Sequence, residues 1–318
     1  MGKKILIWTL LILLFSALFL GGIFSDNLFR NLKTTYFNPL KNDKGRVNFL
    51  ILGINGSGGL DKDLTDTIIF ASLNKGLEKI VLVSIPRDLW IEEIKAKINT
   101  AYHYGGVDLA QKTLTEVLGQ PIHYYAVVNF DSFEKIIDFL GGVEVKVETA
   151  FDDYEYPIPG RENDLCDGDK ELKCRYEHLF FEAGSRVMDG ATALKFSRSR
   201  NAQGDEGTDF ARSARQQKVI LAIKDKIMNK DFYLHPQKVL GLLKLVQNEI
   251  ITDIQPEIYG SLAKLGWELN QNPSGISMTA LNGNLLIHPQ YHYSKQWVLV
   301  PIDGSWEEVK DFVHKLLD

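Results

Sequence analysis

Residues 47–54, VNFLILGI, form a near-continuous apolar run, the pattern of a strand buried on both faces of a sheet. The run ends in Asn55-Gly56-Ser57-Gly58-Gly59, a flexible loop. This is no P-loop, because no Gly-Lys-Ser/Thr follows. Two more apolar runs come next, DTIIFASL at 66–73 and IVLVSI at 80–85. Residues 107–118 carry apolar side chains at helical spacing, and 122–130 alternate as a strand. Residues up to 140 read as a helix with Asp131 or Ser132 as N-cap; Gly141-Gly142 stops it and 143–147 alternate again. Strands interleaved with helices predict an α/β fold: a three-layer α-β-α domain around a central mixed sheet.

Outward from this core the pattern is less regular. Residues 151–184 are rich in charge and hold both cysteines, and read as a loop insertion covering a cleft. Asp189 reads as the cap of a short helix through Ala193. Residues 235–247 and 256–269 are amphipathic and helical, 298–301 are a short strand, and Ser305 is placed to cap a terminal helix over 306–317. The domain is therefore drawn as 47–228, followed by a helical extension with a short strand over 229–318.

At the N-terminus, Lys3 and Lys4 precede residues 5–24, which contain no charge. Twenty helical residues span about 30 Å, a bilayer core. The lysines favour residues 1–4 in the cytoplasm and the body outside the cell, with 25–46 as a linker. A cleaved signal peptide is the competitor, but its apolar region is usually shorter and ends at a small-x-small site. The chain of 318 residues carries 36 Lys+Arg against 41 Asp+Glu, a formal charge of −5. That balance disfavours bulk nucleic-acid binding. Cys166 and Cys174 are the two cysteines. Outside the cell they fit a disulfide closing a small loop, with free thiols as the alternative; zinc lacks a fourth ligand.

Chemistry concentrates in KFSRSRNAQGDEGTDFARSARQQ, residues 195–217, which holds Arg198, Arg200, Arg212 and Arg215. Arg198 and Arg200 point the same way on an extended segment. Arg212 and Gln216 share a helix face with Asp209, and the turn at 204–207 folds the two parts together. Such guanidinium forks grip phosphate oxygens in pairs. A solvated surface helix after a loop is the competing reading. Arg87 and Asp88 follow the third apolar run, at a strand end where α/β sheets collect ligands.

DTIIF (66–70), SIPRDL (84–89), KINTAY (97–102), FLGGVEVKV (139–147) and the arginine stretch ending in RQQ (215–217) stand in an order that resembles the LytR-CpsA-Psr family. The resemblance implies a phosphotransferase that moves a glycopolymer from a polyprenyl-pyrophosphate carrier to a cell-wall acceptor through a phosphodiester. It implies an apolar pocket for the prenyl tail and an arginine-lined pyrophosphate site with Mg²⁺ (or Mn²⁺). Carried over, Arg87, Arg198, Arg200 and Arg212 bind the pyrophosphate as catalytic residues, and Asp66 is the metal carboxylate. Asp88, Lys97, Asp209, Arg215 and Gln216 fall in the same motifs as substrate-binding candidates, Asp88 and Asp209 as orienters of arginines or as the base for the acceptor hydroxyl. Two positions depart from the family pattern: Asn55 stands where an aspartate is usual, and Leu64 where an arginine is usual. Asp61 or Asp63 is the nearest replacement carboxylate. The alternatives are a non-catalytic polyprenyl-pyrophosphate-binding or regulatory protein and a lipid pyrophosphatase. All three work at the cell membrane, with the domain extracytoplasmic.

Overall fold

The computed structural model describes residues 37–56, 62–74, 76, 78–271 and 275–318. The three apolar runs form β1 (Arg46–Ile54), β2 (Thr65–Asn74) and β3 (Lys79–Ser84). After a small ladder of β4 (Trp90–Ile91) and β5 (Ala96–Lys97), α1 (Ala101–Leu118) leads to β6 (Tyr124–Asn129). Then come α2 (Phe130–Phe139), β7 (Val143–Val147), β8 (Phe151–Pro157), β9 (Tyr176–Phe181), β10 (Gly184–Met188), α3 (Gly190–Arg198) and α4 (Asp209–Ile227). The remainder is α5 (Lys230–Tyr233), α6 (Pro236–Glu249), β11 (Ile251–Thr252), α7 (Tyr259–Asn270), β12 (Ile276–Ala280), β13 (Leu286–Ile287), β14 (Val300–Pro301) and α8 (Glu307–Leu317).

The central sheet is mixed, in the order β11-β6-β1-β2-β3-β12. β1 pairs antiparallel with β2 and parallel with β6, and β3 is antiparallel to β2 and parallel to β12. Strand alternation sorts the side chains. Leu50, Leu52 and Ile54 with Phe70, Val81 and Val83 pack against Leu114 and Val117 of α1 and Val309 and Val313 of α8. On the opposite face, Ile69, Ala71 and Leu82 meet Ile220 of α4, and Val47 and Tyr124 meet Leu265 and Leu269 of α7. Helices thus cover both faces, which is why β1 reads as continuously apolar. A second core gathers Val143, Val145, Phe151, Phe181, Phe196 and Val219.

Several local expectations change. Asn129 is the N-cap of α2, its side chain accepting from Ser132 N at 2.8 Å, in place of Asp131 or Ser132. Within residues 151–184, β8 and β9 form an antiparallel pair, and β10, which starts at Gly184, pairs antiparallel with β7; buried Phe151, Asp153 and Tyr156 hold β8 to the second core, which its charge had masked. Cys166 and Cys174 form a disulfide at the exposed end of the β8–β9 hairpin. Asp189 caps α3 as expected, but the helix runs on through Arg198. Residues 229–318 supply both edge strands of the sheet, β11 and β12, as well as α8 beneath it. The expected anchor over 5–24 lies outside the described residues. Among the described residues, no helix is long and apolar enough to cross a membrane.

Candidate functional site: an arginine pocket beside an apolar chamber

β1, β3, β6 and β12 run parallel to one another, so their carboxyl ends lie along one edge of the sheet. Loops at such an edge are where α/β sheets place ligands. β2 begins there with a bulge: Gly53 faces Thr67 and Ile54 faces Thr65, leaving Asp66 as the extra residue. Bulges re-aim side chains in this way. Gly53 is required at this point, since a Cβ there would lie 2.9 Å from the Thr67 Cβ.

Arg87, Arg198, Arg200 and Arg212 all line one pocket of about 230 Å³, together with Asp66, Thr67, Phe130, Asp153, Tyr156 and Gln216. Arg87 reaches it from the turn after β3, Arg198 from the last residue of α3, Arg200 from the following loop and Arg212 from α4. Each is held differently. Arg87 Nη1 donates to Asp66 Oδ1 at 2.5 Å. The Arg198 guanidinium sits 4.0 Å from the centre of the Phe130 ring and donates weakly to Tyr156 Oη at 3.4 Å; among the described residues no carboxylate pairs with it. Arg200 and Arg212 flank Asp209 Oδ1 at 3.7 and 3.4 Å. Arg212 is 6% exposed, and among the described residues its Nε has no hydrogen bond. Burial pushes its pKa down, Asp209 opposes that, and Arg200 and Arg87 push the same way as burial. Cations outnumber carboxylates here even with Asp209 counted. A buried cation in this condition is completed by an anion.

The remaining predicted residues divide. Gln216 lines the pocket and donates to Thr67 Oγ1 at 2.9 Å, tying α4 to β2. Asp209 stands between two arginines, an orienting position. Lys97 Nζ donates to Asp88 Oδ1 at 2.7 Å, and Asp88 Oδ2 lies 3.7 Å from Arg87 Nε, so both act on the pocket through Arg87 without lining it. Arg215 stands apart from the expectation. It is 2% exposed and donates to the carbonyls of Phe196 (3.0 Å), Ser199 (2.6 Å) and Glu206 (2.9 Å) and to Glu206 Oε2 (2.8 Å). Its fork is spent on bracing the arginine loop. Of the replacement carboxylates, Asp63 lies 3.9 Å from His103 and lines no part of the pocket, and Asp61 lies outside the described residues. Leu64 is partly buried just before β2 and supplies no cation there.

Sequence reasoning missed Asp153. It is fully buried, and its Oδ2 accepts from Ser199 Oγ at 2.6 Å and from the backbone N–H of Arg200 and Asn201 at 3.3 Å. It fixes the loop that carries Arg200. The signal available was in FDDYEYP, where Phe151, Asp153 and, past an irregularity in the strand, Tyr156 share burial while Tyr154 is exposed.

A second chamber opens from the first. A cavity of about 310 Å³ shares Thr67, Phe130, Arg198 and Gln216 with the arginine pocket and continues between Ile136, Ile223, Leu242 and Val246. α2, α4 and α6 supply its walls. A charged mouth leading into an apolar chamber suits an amphiphile with an anionic head.

The arrangement defines an α/β domain with an arginine pocket that opens into an apolar chamber. The LytR_cpsA_psr family model matches residues 24–309, and the chain belongs to that family. It is 32% identical over 246 residues, 71% of this chain and 72% of the relative, to the polyisoprenyl-teichoic acid–peptidoglycan teichoic acid transferase TagU of Bacillus anthracis. The crystal structure of B. subtilis TagV shares the fold with a TM-score of 0.64 at 23% identity, covering 87% of this chain and 99% of that one. B. subtilis TagU does so with a TM-score of 0.59 at 24% identity, covering 86% and 98%.

Proposed function

We infer that this chain is a glycopolymer phosphotransferase that takes its glycan from a polyprenyl-pyrophosphate carrier and hands it to a cell-wall acceptor. Family membership and the likeness to TagU support the transferase class. The observation that carries the donor is the continuity of the two chambers: four guanidiniums for the diphosphate, and an apolar cavity behind Phe130 for the tail. In the reaction, the acceptor hydroxyl oxygen attacks the phosphorus that bears the glycan. The bond from that phosphorus to the bridging oxygen breaks, and the hydroxyl proton is released to the departing prenyl monophosphate. Positioning and charge stabilisation do most of the catalytic work in such transfers. Here Arg198, which no carboxylate pairs among the described residues, and Arg212, whose Nε makes no hydrogen bond among them, face the charge that develops.

Asp66 is the residue that would hold Mg²⁺. Its Oδ1 accepts from Arg87, and among the described residues its Oδ2 makes no hydrogen bond. A carboxylate oxygen in this condition would suit Mg²⁺, which takes oxygen ligands. Bound there, the ion would supply further charge neutralisation. Because a neutral amide occupies position 55, Asn55→Asp is expected to lower the Mg²⁺ concentration needed for half-maximal transfer. An unchanged Mg²⁺ dependence would remove Asn55 from the metal's surroundings. Residues 5–24 complete the reading as a single-pass anchor holding the domain, 47–228 with 229–318 folded onto it, on the outer face of the cell membrane.

The apolar chamber gives the test. Excluding two methylenes costs about 1.6 kcal/mol, or more than about tenfold. Ile223→Trp, which fills the chamber, is therefore expected to lower kcat/KM at least about tenfold for an undecaprenyl-pyrophosphate-linked donor. A geranyl-pyrophosphate donor should change by less than about twofold. Equal losses on both donors would contradict the placement of the tail. Release of free glycan phosphate in place of a coupled product would identify water as the acceptor and the protein as a pyrophosphatase.

A further inference from the structure

A third cavity, of about 200 Å³, meets the arginine pocket at Asp66 and Arg212, neither of which lines the apolar chamber. It shares Asp66, Thr67, Arg212 and Gln216 with the arginine pocket, but its outer wall is different: Phe210, Ser213, Asn282, Leu286 and Trp297. Most of that wall comes from residues 280–299, which follow β12 at the carboxyl edge of the sheet. Trp297 and Phe210 are half exposed, at 51% and 50%. The Trp297 ring is not loose; it stacks on His288 with centroids 5.2 Å apart and planes 22° apart. His288 is itself fixed by a bond between Nδ1 and the Val298 carbonyl at 2.9 Å. Asn282 Oδ1 accepts from Asn284 N at 3.0 Å, and among the described residues its amide nitrogen makes no hydrogen bond.

We propose that this third cavity is the acceptor subsite, and that it takes a neutral amino-sugar chain by stacking on Trp297 and Phe210. The assignment rests on the transferase reading above and deepens it. A large aromatic face with a few polar groups is how a site binds a ligand that is apolar on one side and hydroxylated on its edges. Among the described residues Arg212 is the one cation in the lining, beside Asp66 and Asp209, so the cavity is not built for a second polyanion. Its position gives an acceptor a way in. With the donor head in the arginine pocket and its tail in the apolar chamber, this cavity is a further space that reaches Asp66 and Arg212. An acceptor hydroxyl entering here reaches the diphosphate beside Asp66 and Arg212, which the apolar chamber does not line, and attacks the phosphorus that bears the glycan as prenyl phosphate leaves.

The test uses the full-length chain in detergent. Saturation-transfer NMR should detect binding of chitohexaose, a β-1,4-linked N-acetylglucosamine hexamer, and Trp297→Ala should abolish the signal. In steady-state transfer, Trp297→Ala and Phe210→Ala should each raise the acceptor KM about tenfold, with kcat at saturating acceptor within about twofold. Trp297→Phe should recover most of the loss, and the dissociation constant of the polyprenyl-pyrophosphate donor should stay within about twofold of the parent chain's. An unchanged acceptor KM in both alanine variants overturns the proposal. So does a matching loss of donor affinity, which would mean that the cavity holds the donor's own glycan. The NMR measurement needs no turnover: chitohexaose binding lost in Trp297→Ala supports the subsite even if no transfer occurs and the transferase reading fails.

Discussion

Arg198→Ala and Arg200→Ala are each expected to lower the rate of glycan transfer by about 10²–10³-fold, the usual loss when a donor to developing charge is removed. Arg198 is the sharper case. It projects from the end of α3 onto the Phe130 ring, at the junction of the charged pocket and the apolar chamber, with no carboxylate to neutralise it among the described residues. Its charge is therefore available to the diphosphate. Arg200 is partly spent on Asp209 at 3.7 Å, so its loss should be the smaller of the two. Neither side chain is part of the core, and thermal unfolding of both variants should match the parent. Arg198→Lys should not recover the rate, because an ammonium cannot present two parallel donors to one phosphate. Near-normal turnover in both alanine variants would remove the pocket from the chemistry.

Arg215→Met is expected to act on stability. Arg215 ties three carbonyls and the Glu206 carboxylate together from a fully buried position. Breaking a buried pair leaves the partner charge and carbonyls without donors, at a cost of about 3–5 kcal/mol. A lower urea midpoint is the readout, with activity per folded molecule also reduced, because the strand of loop between Phe196 and Glu206 carries Arg198 and Arg200. Arg215→Lys should rescue little, since one ammonium cannot reach donors in so many directions. Unaltered stability would show that the loop is held by Asp153 alone.

Arg198 and Arg215, 17 positions apart in one motif, mark how far the sequence can be read. The runs at 47–54, 66–73 and 80–85 were legible as strands because helices cover both faces of the sheet and demand unbroken apolarity. The convergence of Arg87 with Arg198, Arg200 and Arg212 was legible from motif order, and they do meet in one pocket. Arg215 was not separable from them, because its partners are backbone carbonyls brought close by the fold, which spacing does not reveal. Asp153 was hidden by the surrounding charge in FDDYEYP, although its carboxylate is fully buried and fixes the Arg200 loop. β11 and β12 were missed for another reason: strands of two and five residues are too short to show a period, and their pairing with β6 and β3 is long-range. The chamber walls read as ordinary amphipathic helices, since core and cavity linings draw on the same residues.

The most direct measurement is a crystal structure of the chain with a polyprenyl pyrophosphate bound. The account predicts the diphosphate between Arg87, Arg198, Arg200 and Arg212, and the tail running past Phe130 between Ile136, Ile223 and Val246. A diphosphate bound elsewhere, or a tail lying outside that chamber, would contradict it.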